Sequence, residues 1–307
     1  MIRIGSRGSQ LAQWQANHIA GLLRAQGHEV EIAIITTTGD RLQGVPFARV
    51  GSKGMFTKEI EEALAAGAID LAVHSLKDLP TELDPSFVIA AVTERVDPRD
   101  VFVSIRFASM DALPSGARVG TSSLRRQSQL RARWPGLKYV EFRGNVDTRL
   151  RKLSEGQVEA AVLAAAGVDR LGRTEWVRER FSEDVLCPAP GQGALAIECR
   201  AADDRTRAVL ATLDHAESRF AVTAERIALA ALGGGCQVPI GAYCRRDGEQ
   251  YRNGIYRISG CVSSPDGAVV LRGEERGTDA EALGAALADA LLRQGALQLL
   301  AQQGAAE

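Results

Sequence analysis

Apolar positions in the N-terminal part of the chain follow two alternating rhythms. Residues 2–4 read as a short strand, followed by the turn Gly5-Ser6-Arg7-Gly8-Ser9. Residues 10–26 have helical spacing, with Leu11, Ile19, Leu22 and Leu23 on the apolar side and Gly27 placed to end the helix. Val30, Ile32 and Ile34 give the period of two over 29–36, which predicts a strand. A helix over 57–66 and strands over 70–73 and 88–92 follow. This is βαβ grammar, and it predicts a mixed or mostly parallel sheet covered by helices.

The pattern restarts after Asp97-Pro98-Arg99-Asp100. Strands are expected over 101–105, 117–120, 138–142 and 160–163, with helices over 123–133, 147–155 and 164–171. That is a second α/β domain. The Pro/Gly-rich stretch 188–193 (PAPGQG) reads as a joint. One more strand (194–198) and helices over 204–213 and 217–231 come next. Beyond Gly241 the grammar changes. Residues 251–262 and 268–276 read as antiparallel strands around Pro265-Asp266-Gly267, and Ala/Leu-rich helices close a smaller α+β domain. Residues 39–54 lack periodicity and hold four glycines and a proline, as a lid-like loop would.

A chain of 307 residues suits two or three domains. The formal net charge of −1 argues against a general nucleic-acid coat, and 5% aromatics argue against a base-stacking platform. Five cysteines without Cys-x-x-Cys spacing and four histidines without a paired spacing predict neither a disulfide framework nor a metal site. The opening MIRIGSRGSQ has no apolar leader, and no window is apolar enough to span a membrane, so a cytoplasmic protein is expected.

Charge is uneven along the chain. Between Arg118 and Lys152 lie eight arginines and two lysines against Glu141 and Asp147. Such a field inside a near-neutral chain points to a bound polyanion. Arg131 and Arg133 fit a solvated helix face equally well. Arg125 and Arg126 follow Gly120-Thr121-Ser122-Ser123, a strand end and helix start whose free N–H groups and hydroxyls favour anions. Residues 5–9 repeat the device in the first domain, which suggests a cleft gripping acidic groups from both sides. His74-Ser75-Leu76-Lys77-Asp78 ends a strand directly in polar residues. Asp78 there is either a turn or cap residue or a carboxylate facing positive charge; His74 reads as a satisfied core histidine. Cys236 follows three glycines and is either an ordinary free thiol or a point of covalent attachment.

Taken together, the stretches 5–15 (GSRGSQLAQWQ), 51–59 (GSKGMFTKE), 70–80 (DLAVHSLKDLP), 97–103 (DPRDVFV), 119–130 (VGTSSLRRQSQL), 142–150 (FRGNVDTRL), 190–200 (PGQGALAIECR) and 233–241 (GGGCQVPIG) resemble the porphobilinogen deaminase (hydroxymethylbilane synthase) family. The resemblance runs from about residue 2 to about residue 241 in family order; the last part matches in length and style only. It implies two periplasmic-binding-protein-like (type II) α/β domains plus a smaller α+β C-terminal domain. The implied boundaries are 1–96 with 189–213, 97–188, and 214–307.

The implied activity is that of a monomeric, cytoplasmic transferase of porphyrin and heme biosynthesis. It deaminates four porphobilinogen molecules, joins them head to tail on a dipyrromethane cofactor, and releases the linear tetrapyrrole with water. By the same resemblance Cys236 holds the cofactor through a thioether, and the glycines before it would clear room for a pyrrole. Asp78 is the catalytic residue. Ser75, Lys77, Asp78, Thr121, Ser122, Ser123, Arg125, Arg126, Arg143 and Gly144 bind the cofactor. Arg7, Ser9, Gln15, Arg143, Arg149 and Arg170 bind substrate, and Lys53, Phe56 and Lys58 edge the lid. Losing one arginine should weaken a turnover stage rather than unfold the protein. No metal, nucleic acid or membrane partner is implied. The residues alone leave open a two-domain anion-binding protein in which Cys236 is incidental.

Overall fold

The computed structural model describes residues 1–41, 57–234, 238–248 and 254–304. The first elements are β1 (Ile2–Ser6), α1 (Gln10–Ala25), β2 (Val30–Ile34), α2 (Thr38–Arg41), α3 (Lys58–Ala65), β3 (Leu71–Ser75) and β4 (Phe87–Val92). Next come β5 (Asp100–Val103), β6 (Arg118–Gly120), α4 (Leu124–Arg133), β7 (Lys138–Val140), α5 (Val146–Ser154), β8 (Ala160–Ala164), α6 (Ala165–Arg170) and β9 (Val177–Arg180). The remainder is β10 (Leu195–Arg200), α7 (Asp204–Leu210), α8 (Ala216–Ala231), β11 (Ile240–Arg246), β12 (Tyr256–Ser263), β13 (Val270–Gly277), α9 (Ala280–Arg293) and α10 (Ala296–Gly304). The chain divides into two units: residues 1–96 with 194–219, and residues 97–193 with 220–307.

The first unit holds a five-stranded sheet in the order β2-β1-β3-β10-β4. β1 pairs in parallel with β2 and β3, and β10 runs antiparallel between β3 and β4. Alternation on β3 sends Leu71 and Val73 to a core shared with Ile4, Ile19, Leu23 and Ile197. Ala72 points the other way, toward Ile60, Leu64 and Ile69. Ser9 caps α1, its side chain accepting from the Ala12 N–H. The helix buries Ala16, Ile19, Ala20 and Leu23, the spacing of one helical face. Leu22, expected on that face, is exposed instead, because small alanines face the sheet where the backbone approaches closely.

The second unit repeats the plan in the order β7-β6-β8-β5-β9. β6 is parallel to β7 and β8, while β5 is antiparallel to β8 and β9. In both sheets the fourth strand is the first one made after the chain enters or re-enters the unit. The two sheets thus share one order, each with a single antiparallel strand inserted in fourth place. Val101 and Val103 pack on one face with Leu150, Ala161 and Leu163; Phe102 packs on the other with Val119, Leu130 and Val162.

A separate antiparallel sheet, β11-β12-β13, completes the second unit as an α+β layer. Its core joins Ile240, Ile258 and Val262 to Ala224 and Ala228 of α8 and to Leu283, Leu287 and Leu291 of α9. The β12–β13 turn carries Gly267 at φ +76°, and a Cβ there would meet the Ser128 carbonyl at 2.6 Å. Helix α4 therefore packs against that hairpin, and the Ser128 hydroxyl lies 3.0 Å from that of Ser263. Strands β9 and β11 escape the apolar rhythm. Both are sheet edges, and β9 (Val-Arg-Glu-Arg) needs little apolar patterning there. The strand expected over 251–262 starts at Tyr256, and 251–253 lie outside the described residues.

Candidate active site

Two polar groups gather the expected site residues, one in each unit. In the first unit β3 ends at Ser75 and turns at once through a single 3-10 turn, Leu76–Asp78. Leu76 and Leu79 are buried and anchor the turn, and the Leu76 N–H donates to the Ala194 carbonyl at 3.1 Å. The two apolar anchors leave Lys77 half-buried and Asp78 exposed. Among the described residues Asp78 accepts no hydrogen bond, so it does not serve as the turn or cap residue that its local sequence also allowed. Gln15, buried on α1, donates to the Ser75 hydroxyl at 2.7 Å and ties the helix to the strand end. Ser9 caps the same helix, and Arg7 is half-buried two residues before it. His74 is a core histidine, its Nε2 lying 2.9 Å from Glu198 Oε2 on β10.

In the second unit β6 ends at Gly120, where a Cβ would run into the Phe142 ring at 2.6 Å. The hydroxyls that follow are all engaged. Thr121 Oγ1 accepts from the Ser123 N–H, Ser122 Oγ accepts from the Phe142 N–H, and Ser123 caps α4 by accepting from the Arg126 N–H. Gly144 has φ +118°, and a Cβ there would meet Thr148 at 2.7 Å. Arg143 is half-buried and pairs with Glu141, while its carbonyl accepts from Lys152 Nζ. Arg149 is half-buried on α5. Arg170 ends α6 and donates through Nη2 to the Gly193 carbonyl at 2.8 Å; burial lowers its guanidinium to about 10.

Arg125 and Arg126 are only 4% and 5% exposed, and both reach Asp100, which is fully buried at the start of β5. Arg125 Nη1 lies 2.8 Å from Asp100 Oδ2, and Arg126 Nη2 lies 2.7 Å from Oδ1. Burial alone would raise the Asp100 carboxyl, but the two guanidinium charges and their hydrogen bonds overcome it and hold it far below the usual carboxylate range. This corrects one expectation. Removing either arginine leaves a buried carboxylate short of a partner, so it costs fold stability. Of the flanking cations, Arg131 donates to the Pro265 carbonyl and Arg133 lies exposed over the Trp134 ring.

Asp100, Gln192 and Glu198 were missed as partners. Asp100 and Gln192 stand inside quoted motifs, and the signal was a charged residue opening the otherwise apolar run Val101-Phe102-Val103. Cys236, Lys53 and Phe56 lie outside the described residues; Lys58 is exposed at the start of α3. Two of the glycines before Cys236 have local tasks. Gly233 takes φ +69° just past the end of α8, and a Cβ on Gly234 would meet Leu229 Cδ1 at 2.4 Å. Gly233 ends the helix with open space where a side chain would stand, and Gly234 admits close packing against Leu229 and Ile240.

Comparison with known proteins gives consistent matches along the chain. The family model "Porphobilinogen deaminase, dipyromethane cofactor binding domain" matches residues 2–208, and "Porphobilinogen deaminase, C-terminal domain" matches residues 219–293. The porphobilinogen deaminase of Methylobacillus flagellatus is 50% identical over 302 residues, covering 97% of this chain and 96% of that protein. That of Thiobacillus denitrificans is 49% identical over 303 residues, covering 97% of each. Similar solved structures include the methionine-binding protein MetQ, with 15% identity and TM-score 0.46 over 69% of this chain and 89% of that one. A periplasmic substrate-binding protein from Coxiella burnetii has 16% identity and TM-score 0.44 over 74% and 97%.

Proposed function

The chain belongs to the porphobilinogen deaminase family, transferases that join four porphobilinogen molecules head to tail on a dipyrromethane cofactor and release hydroxymethylbilane, and from that premise we propose how its own residues divide the work. Asp78 is the catalytic carboxylate. It is exposed at a strand end and accepts no hydrogen bond among the described residues, so it is available to a ligand. Positive charge grows on the substrate as ammonia leaves, and a carboxylate placed there stabilises it more in the transition state than in the ground state. Asp78 also moves protons at its carboxylate oxygens. Ser75 and Lys77 hold the adjoining arm, with Gln15 fixing the Ser75 hydroxyl.

The donor set of the second unit suits a group bearing several carboxylates. Arg125, Arg126, Arg143, Arg149 and Arg170 supply guanidinium forks, and Thr121, Ser122, Ser123 and Gly144 supply hydroxyl and backbone positions near a helix start. Arg170 supports this most directly, because burial has lowered its guanidinium and a carboxylate beside it would relieve that cost. Each charge-assisted hydrogen bond to an arm contributes about 1.5–3 kcal/mol. Arg7 and Ser9 serve the incoming substrate. The cofactor supplies the free pyrrole position at which the product grows, and Cys236 anchors it as a thioether. Functionally the chain has three parts, 1–96 with 189–213, 97–188 and 214–307, with Lys53, Phe56 and Lys58 at a lid. It works in the cytoplasm as a monomer, without a metal.

The observation that carries this reading is the exposed Asp78 beside Lys77 at the end of β3 in a chain of this family. Intact-mass spectrometry with peptide mapping tests it. Active protein should be heavier by two linked pyrrole units located on Cys236, and a bare thiol in active protein would overturn it.

A further inference from the structure

Neighbouring residues of an α-helix point about 100° apart, so two consecutive arginines do not converge by themselves. Arg125 and Arg126 nevertheless meet at one carboxylate. Asp100 Oδ1 accepts from Arg126 Nε at 2.9 Å and from Gln192 Nε2 at 3.0 Å, while Oδ2 faces Arg125 Nη1 at 2.8 Å. Backbone carbonyls also hold each fork. Arg125 Nη1 donates to the Cys187 carbonyl at 2.5 Å, and Arg126 Nη1 donates to the Val162 carbonyl at 3.2 Å. Gln192 Nε2 also donates to the Pro98 carbonyl at 2.6 Å.

We propose that Asp100 is a positioning residue for the reaction: it gathers Arg125 and Arg126 into one fork array for a single carboxylate arm. This rests on the reading that those two arginines bind an arm. Stability alone does not call for such a cluster, because a buried ion triad is commonly matched or bettered by well-packed apolar side chains. The three side chains together carry one positive charge more than negative, the sign that a carboxylate ligand needs. The carboxylate acts through the arginines and touches no reacting atom.

The test compares wild type, Asp100→Asn and Asp100→Glu by intact mass, thermal melting, and KM and kcat for porphobilinogen. Asp100→Asn keeps the shape and removes the charge. It should fold with a lowered melting temperature, and its cofactor-loaded fraction should fall, or KM rise, about tenfold or more. Asp100→Glu restores the charge one methylene away and should recover part of the loading. A purely structural role would lower melting temperature and yield while the folded fraction kept wild-type loading and KM. Folded Asp100→Asn with loading and KM within about twofold of wild type overturns the proposal, since positional errors at such sites cost far more. Should Asp100→Asn fail to fold, Asp100→Glu decides alone: an unchanged KM overturns the proposal and a raised KM with retained fold supports it. Wild-type protein carrying no cofactor would instead sink the function proposed above.

Discussion

His74 Nε2 lies 2.9 Å from Glu198 Oε2, a buried pair linking β3 to β10 directly beneath the turn that carries Asp78. The partners are 124 residues apart in sequence, so the contact closes the first unit's sheet across its antiparallel strand. Glu198→Ala leaves a buried imidazole nitrogen without its hydrogen-bond partner, which costs about 1–3 kcal/mol. Urea unfolding should show a correspondingly lower midpoint with an unchanged slope.

Asp78→Asn should leave that midpoint alone, because the carboxylate is exposed and accepts no hydrogen bond among the described residues. Turnover should fall by about 10²–10³, the usual cost of losing one preorganised electrostatic group. A steady-state assay beside a melting curve checks both halves. Near-normal kcat would remove Asp78 from the chemistry.

Arg125→Leu and Arg126→Leu should each lose stability and cofactor loading together, since each leaves Asp100 short of a partner. The stability cost is about 3–5 kcal/mol. Arg143→Leu removes a half-buried side chain paired at the surface with Glu141, and should impair elongation with little change in melting temperature. Native mass spectrometry of the stepwise complexes separates the two classes.

Acid should destabilise the protein in a defined window. The folded carboxyls of Asp100 and Glu159 lie below their unfolded values; Asp100 is held down by its two arginines against burial, and Glu159 is brought to about 2 chiefly by its hydrogen bond from Arg118. Their stabilisation is complete above an unfolded carboxyl value of about 4 and is lost as pH falls toward the folded values. Urea midpoints should therefore be insensitive to these two groups from pH 8 down to about 5 and should drop below about 4. Asp100→Asn should shrink that acid-side drop.

Cys187, Cys199, Cys244 and Cys261 are buried. A hydrogen bond with the Cys261 thiol, reinforced by burial, pushes the Cys187 thiol up, and burial raises Cys199 to about 11. Iodoacetamide at neutral pH should leave all four unmodified in native protein and alkylate them after unfolding. With Cys236 in a thioether, the native holoprotein should take up no label; rapid labelling of Cys236 would contradict the attachment.

Local signals were the legible ones. The turn after β3 could be read because strand, hydroxyl, cation, carboxylate and proline fall within a few consecutive residues. The α4 start could be read because Ser123 caps it in place. Partnerships between distant elements were not legible. Nothing near Asp100 announces Arg125, and nothing near His74 announces Glu198, since each pair is made only when sheet order brings the strands and helices together. Leu22 misled for a related reason: hydrophobicity ranks leucine above alanine, but close approach of α1 to its sheet favours Ala16 and Ala20 inside. The edge strand β9 carries a weak pattern because most of it is only half-buried, and β11 because the small Gly241 and Ala242 occupy its buried half.

The inserted fourth strands bear on how the molecule is made. Every strand of the β7-β6-β8-β5-β9 sheet lies within residues 100–180, whereas the sheet begun at Ile2 lacks its fourth member until Leu195–Arg200 has left the ribosome. Since domains fold as units during synthesis, the sheet that starts second is finished first, and the nascent N-terminal layer must wait, with the β3 and β4 edges open, for a strand translated about a hundred residues later.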